Sequence, residues 1–513
     1  MTVTIDEPLL RAVPSGRVAV AALARVEARH FLRSPFVWGG VVLAVGLGVA
    51  WSWTRMPTWD SFQQNAGMSA LVLGAALLLA GHLAAGRDRR ARADESTRSM
   101  PATAARRGVG LLVAVPIAAL AGAVVYALEL AILLPAWPVG HFDPWAGLVV
   151  VVLPPIGAAI GVLVGRALPS AAAGPLTVVA LVVVLFLLLA LSTGPGGPAD
   201  QIWPVPEQPW EVGADRPTGW HLIYLCALLV GVVALISWHP GTGWRSWSGT
   251  AWRFGATSSV MVLVVALLVA GFAVQRQDAE DLSEVIYPDQ TEALTGVAVL
   301  DCRTYLEVRY CALPEFANWA RQWRAAVEPV AALLPVAAAK PAVRQIGGSD
   351  DFEPITPGQP EIVTSTSWGR FGRWAENSRL EMARAWSAAA VGLAKRDPMS
   401  WQSCDGAGQH RTVVGLWLLA LTQPDGPARV ARGELRLPHV RQGPADLQAV
   451  ATLLAVPTAE VTAYLQAHWP QVLDPAGTAL AGLGVTTTPP PIPAAPIVEP
   501  DSAPPSEDAG VCR

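Results

Sequence analysis

Charge is scarce in this chain. Asp, Glu, Lys and Arg make up 15% of 513 residues, against about 25% in soluble domains, and the mean hydropathy is +0.39. This deficit argues against an ordinary water-soluble class and for a membrane protein. Lysine occurs only at Lys340 and Lys395, so basic charge here means arginine. The net charge of −4 gives no reason to expect a nucleic-acid partner. No Gly-Lys pair occurs, so the phosphate cradle G-x-x-x-x-G-K-[ST] is missing and the chain is read as having no ATPase site and no cofactor of its own. H-E-x-x-H, G-x-S-x-G and C-x-x-C are missing as well. No catalytic residue and no metal ligand is therefore assigned, although catalysis without a local signature stays open.

What the chain has in abundance is long apolar runs. Seven lie at about 36–53, 68–86, 108–136, 146–168, 170–192, 219–238 and 256–274. Crossing a bilayer takes roughly 20 residues at about 1.5 Å each. The first run is short and is extended by Trp51 and Trp53, residues suited to an interface. Pro116, Pro154, Pro155 and Pro175 interrupt others, and proline is tolerated where neighbouring helices satisfy the freed carbonyls. No N-terminal signal peptide is expected, because the first run follows a long charged leader.

Arginine sets the orientation. The leader holds Arg11, Arg17, Arg25, Arg29 and Arg33, and the loop after the second run holds Arg87, Arg89, Arg90, Arg92, Arg98, Arg106 and Arg107. Arg166, then Arg245 and Arg253, follow on the same side, while the alternate loops are richer in Asp and Glu. The positive-inside rule makes the Arg-bearing side cytoplasmic. The chain thus reads as an α-helical polytopic membrane protein with about six or seven transmembrane helices, multi-pass in the cell (plasma) membrane, its N-terminus cytoplasmic. Four segments are expected: a cytoplasmic amphipathic leader over 1–35, a transmembrane domain over 36–274 with a cytoplasmic loop at 87–107, an extracytoplasmic domain over 275–484, and a Pro-rich tail over 485–513 that reads as disordered or polyproline-like.

The extracytoplasmic segment reads as mixed α/β and mostly helical. TGVAVLDCRTYLEVRYCAL alternates like a β-hairpin, and several later stretches carry apolar residues three and four apart. Cys302 and Cys311 flank the hairpin turn and are expected to be bridged, outside the cell where disulfides persist. Four Cys allow three pairings, and this one leaves Cys404 with Cys512. Trp319 and Trp323 share a helical face, read as core before ligand platform.

Three features could carry function. Gly157, Gly161 and Gly165 recur at spacing four and let helices approach closely, either within the chain or as a dimer face or sliding contact. Glu129 is an acid well inside an apolar run, a functional candidate by default. It lies about 21 residues, or about 30 Å, beyond Gly108, which brings it to the outer interface. His82 reads as a boundary residue.

The third feature is the basic loop with its flanks. Two helices, an inner loop of the form R-x-R-R…E-S-T…M-P-x-x-x-x-R-R and then a long helix resemble the permease subunits of ABC-2 type transporters. In that family the loop contacts the ATPase. Glu95, Thr97, Arg98, Pro101, Arg106 and Arg107 would take that coupling role here. The leader RVEARHFLRSPFVWGG resembles the amphipathic entry segment, with Glu27, Arg33 and Pro35 in place. The resemblance spans roughly residues 17–240. It implies the membrane subunit of an ATP-driven transporter, an exporter, with ATP held by a separate ATPase and a second permease subunit, identical or not, in the bilayer. The seventh run and the polar, Pro-rich stretch between runs five and six depart from the family pattern. The alternative from another class is a membrane-anchored receptor or envelope assembly protein whose outer domain binds a ligand or partner.

Overall fold

The structure is a computed structural model. It describes residues 16–91, 93, 104–168, 170–191, 201–205, 217–238, 250–286, 297–346, 355, 358–393, 403–488 and 512. The chain divides into two compact units. The first comprises Met1–Trp53, Pro57–Pro209 and Ala214–Tyr287; the second comprises Pro288–Arg513 with Thr54–Met56 and Trp210–Gly213.

The first unit is helical. Its elements are α1 (Gly16–Leu32), α2 (Pro35–Trp53), α3 (Trp59–Ala85), the single turn α4 (Arg87–Arg90), α5 (Ala104–Leu111), α6 (Ala114–Leu133), α7 (Pro144–Ala167), α8 (Ala173–Leu191), α9 (Thr218–Trp238) and α10 (Thr250–Ile286). Among the described residues six stretches are long and apolar enough to cross a membrane: Pro35–Trp53, Trp59–Ala85, Arg107–Ala136, Pro144–Ala167, Thr218–Ser237 and Ser259–Ala279. The fifth apolar run of the sequence forms α8 but offers only a shorter apolar stretch, Ala173–Leu188. α10 runs on without a break from Ser259 to Ile286, so the second unit starts at Pro288 instead of near 275.

Helix ends follow local chemistry. Thr58 caps α3: its hydroxyl accepts from Ser61 N at 3.1 Å, and Ser61 Oγ accepts from Thr58 N at 3.2 Å. Asp143 caps α7 by accepting from Trp145 N at 2.8 Å, with Pro144 in the first turn. Pro116 lacks the N–H that would bond Leu112, and the chain tightens just before it: Val115 N donates to Leu112 O at 3.0 Å and Val113 N to Gly110 O at 3.4 Å. That tightening separates α5 from α6. Pro154 and Pro155, by contrast, stay inside α7. Pro154 frees the Val150 carbonyl, against which Gly122 of α6 packs so closely that a Cβ there would come within 3.3 Å of it.

The core of the unit is the α3–α7 seam. A Cβ on Gly157, Gly161 or Gly165 would fall 2.2 Å from Gly74 O, 2.1 Å from Leu78 O or 2.6 Å from His82 O. Gly81 of α3 meets Ala158 O in the same way, at 2.7 Å. Backbone touches backbone along three turns, the geometry small residues permit. The three glycines named from the sequence thus face a neighbouring helix of their own chain.

The second unit holds a four-stranded sheet in the order β1 (Asp301–Tyr305), β2 (Val308–Ala312), β3 (Ala342–Gln345), β4 (Glu361–Thr364). β1 and β2 form the antiparallel hairpin expected from the alternation, while β2, β3 and β4 run parallel. Around it pack α11 (Ala320–Ala331), α12 (Gly372–Ala390), α13 (His410–Thr422), α14 (Gly426–Ala431), α15 (Pro444–Ala455) and α16 (Thr458–Leu473), with a two-residue pair β5 (Cys404–Asp405) and β6 (Val440–Arg441). Trp319 and Trp323 are core residues, 2% and 0% exposed. α13 is buried from His410 to Ala420, its run from Val413 to Ala420 being apolar on every side.

The four cysteines of the second unit form two bridges. Cys302–Cys311 ties directly opposed residues of the hairpin. Cys404–Cys512 brings the end of the tail back to β5, where Cys512 is 3% exposed and its N–H donates to Asp405 O at 2.9 Å.

Candidate functional site

The densest arrangement of charge in the first unit gathers at the ends of α3, α7 and α9, and its logic begins with helix termini. The last turn of a helix leaves carbonyls without helical donors and carries the negative end of the helix dipole. Three arginines answer this. The Arg90 guanidinium donates to Leu83 O near the end of α3. Arg89 Nη1 donates to Arg166 O, in the last turn of α7, at 2.9 Å. Arg166 Nη1 donates in turn to Ile236 O, near the end of α9, at 2.6 Å. Each such contact contributes about 0.3–1 kcal/mol. Gly108 lets Arg166 through, because a Cβ there would sit 2.2 Å from Nη1. His82 is fully buried at the same end; its Nε2 lies 3.1 Å from Ser170 O and so carries the hydrogen.

The leader joins this cluster. Arg87 Nη2 donates to Glu27 Oε1 at 2.9 Å, tying α4 to α1. The pair is part-exposed, 39% for the Arg and 16% for the Glu side chain, so its strength is on the order of 1 kcal/mol at most. Arg33 closes α1, its N–H donating to Arg29 O at 3.1 Å. Pro35 opens α2 at the position where a missing N–H costs nothing. Arg107 lies on α5 at the start of its apolar stretch; Arg106 precedes it and is described by its backbone alone. Glu95, Thr97, Arg98 and Pro101 lie outside the described residues. The structure therefore brings Glu27 and Arg87 together, along with Arg89, Arg90 and Arg166. The sequence had marked these arginines for topology, but not as caps of neighbouring helices. The signal was present, since all lie within a few residues of the end of an apolar run.

Glu129 lies one turn before the end of α6, yet it does not face water: it is 1% exposed and turned toward α2 and α3. Ser69 Oγ of α3 is 2.7 Å from its Oε1. Gly48 of α2 provides the space that encloses the carboxyl.

In the second unit the polar segment Gln409–Thr412 is sealed, each residue 0–3% exposed. His410 Nδ1 accepts from Leu480 N at 2.8 Å, so the ring hydrogen is on Nε2, which donates to Thr487 O at 3.3 Å. Burial lowers the proton affinity of this ring below that of a free histidine, the Thr487 contact opposing it in part. Arg411 Nε donates to Gln409 Oε1 at 2.7 Å and Nη1 to Gly392 O at 3.1 Å, and burial holds the guanidinium below its usual range. Asp446 accepts from Gly408 N and Gly443 N at 2.8 and 2.7 Å and caps α15; burial pushes its carboxyl upward. These groups bond the scaffold to itself and present no nucleophile–base pair. Among the described residues no cluster of three His, Cys, Asp or Glu could hold a metal. No protein family, curated protein or solved structure matches the chain.

Proposed function

We propose that the chain is the membrane permease subunit of an ATP-driven transporter of the ABC-2 type, an exporter served by a separate ATPase. The observation that carries this reading is the Arg-capped end of the first unit. Helix ends from α3, α7 and α9 are tied by Arg89, Arg90 and Arg166 into one hydrogen-bonded group, to which Glu27 adds the leader. A stroke from a partner moves helices only through a stiff contact, and this end is stiff. In this reading α8 crosses the cell membrane along with the six longer apolar helices, an odd number of passages that leaves the Arg-rich end cytoplasmic and the disulfide-bridged second unit extracytoplasmic. The partners are the ATPase and a second permease subunit.

A receptor or envelope assembly role is the alternative, favoured by the second unit having its own core and two disulfides. Purification from native membranes separates the two. The transporter reading expects an ATP-binding partner that co-purifies with the chain and is lost in Arg106→Glu/Arg107→Glu. A chain that purifies without any ATPase sinks the transporter reading; undiminished co-purification with the variant sinks the loop as its docking site.

A further inference from the structure

Two hydrogen bonds in the first unit need one more proton than a serine can supply. Ser69 Oγ, fully buried on α3, lies 2.7 Å from Glu129 Oε1 and 2.9 Å from Ala66 O. A hydroxyl has a single hydrogen, and both neighbours are acceptors if Glu129 is ionised. Both contacts become hydrogen bonds only when the carboxyl carries a proton: Glu129 Oε1–H donates to Ser69 Oγ, and Ser69 Oγ–H donates to Ala66 O.

The surroundings agree. The α2 backbone closes over the group at Gly48, whose Cβ, if present, would lie 2.2 Å from Oε1 and 2.5 Å from the carboxyl carbon. Gly48 offers no side chain, and α3 offers the Ser69 hydroxyl. The other titratable groups of this region are Tyr126, one turn earlier on α6, and Asp143 at the start of α7; neither supplies positive charge. Among the described residues no cation pairs with Glu129. A buried carboxylate with no counter-charge is strongly disfavoured, whereas the neutral acid needs only its hydrogen bonds.

The geometry points to Glu129 as a proton-binding site inside the first unit, a neutral carboxylic acid whose proton latches α6 to α3 beneath α2. Giving up that proton and moving α2 off the carboxyl are then one event, since the carboxylate needs water that the enclosed site denies it. This site is independent of the ATPase loop and stands whether or not the chain is a transporter.

The test uses the full chain in lipid nanodiscs. Infrared difference spectra across a titration should show the C=O band of an un-ionised acid at neutral pH, missing in Glu129→Gln. N,N′-dicyclohexylcarbodiimide adds a protonated carboxyl across one C=N bond and rearranges to an N-acylurea, so it should modify Glu129 at neutral pH. Ser69→Ala keeps the acid and removes its acceptor; the band should remain and shift to higher frequency. A wild-type spectrum in which Glu129→Gln changes nothing in the carboxylic-acid region overturns the proposal. A Ser69→Ala band at the wild-type position overturns the pairing with Ser69.

Discussion

Adding one methyl group at Gly161 should damage the first unit more than many larger changes elsewhere. A Cβ at this position would lie 2.1 Å from Leu78 O, 2.8 Å from Leu78 C and 2.8 Å from Leu78 Cα. Ordinary contact begins at 3.4 Å, so α7 and α3 must part by about 1 Å for a seam that holds no flexible side chain to yield. The separation reaches Gly157 and Gly165, which meet Gly74 O and His82 O along the same ridge. Overpacking of this kind costs about 1–3 kcal/mol, offset in part by the helix preference of Ala over Gly, near 1 kcal/mol. Gly46 on α2 is the control, with nothing within 4 Å of its Cβ position; there the preference acts alone. The net cost of about 1 kcal/mol corresponds to roughly 2–4 °C in melting temperature. Detergent-solubilised Gly161→Ala should therefore melt several degrees below wild type by fluorescence-detected gel filtration, with Gly46→Ala equal to wild type or above. Coincident melting of Gly161→Ala and Gly46→Ala would refute backbone contact across the seam.

Three further outcomes concern the second unit. His410 binds a proton less readily folded than unfolded, so its contribution is complete above about pH 6.5 and should fall by up to about 1.4 kcal/mol per pH unit below it; denaturant titrations at pH 7.5 and 5.5 should show this loss shrinking in His410→Gln. Removing Cys404–Cys512, which closes 108 residues, should cost more than removing Cys302–Cys311, which closes 9: the chain-entropy ceiling is about 4–5 kcal/mol for the first and 2–3 for the second, and melts of the paired Cys→Ser variants should rank in that order. The hairpin turn places Leu306 and Glu307 at φ 46° and 65°, a left-handed pair that Asn-Gly adopts more readily; Leu306→Asn with Glu307→Gly should gain about 1 kcal/mol by denaturant titration, even though Glu307 gives up its exposed pairing with Lys340.

How much of this was legible in the sequence depended on whether the signal was local. Apolar length is a property of one segment, and six of the seven runs it marked became helices long enough to cross a bilayer among the described residues, the fifth run giving a shorter one. The hairpin and its bridge followed from alternation around a two-residue turn, with both Cys in opposed positions. Parallel pairing of β2 with β3 is different, because it joins strands separated by α11 and carries no short-range mark. The 23-residue gap between the described Thr488 and Cys512 hides a different case. Composition makes that stretch a tail, and only the count of cysteines, which leaves Cys404 with Cys512 once the hairpin pair is set, pointed to the bond with β5.

Glu129 shows the same limit at a single residue. Its depth came from counting along one helix, and the count was sound: it does lie one turn from the end of α6. Its exposure depended on Gly48 and Ser69, residues 81 and 60 positions away, which only packing brings to it. The arginines make the converse point. Their number was explained from the sequence by the side of the membrane they keep to, and that argument needs no partner. Yet Arg89, Arg90 and Arg166 each end on a particular carbonyl, so the same charge that the sequence reading used for orientation also closes helix ends. One physical cause, uncapped carbonyls at one end of several helices, thus gives these arginines a reason to be here even without a docked partner. That is why a docking role is tested at Arg106 and Arg107, and not at the three arginines that close helix ends.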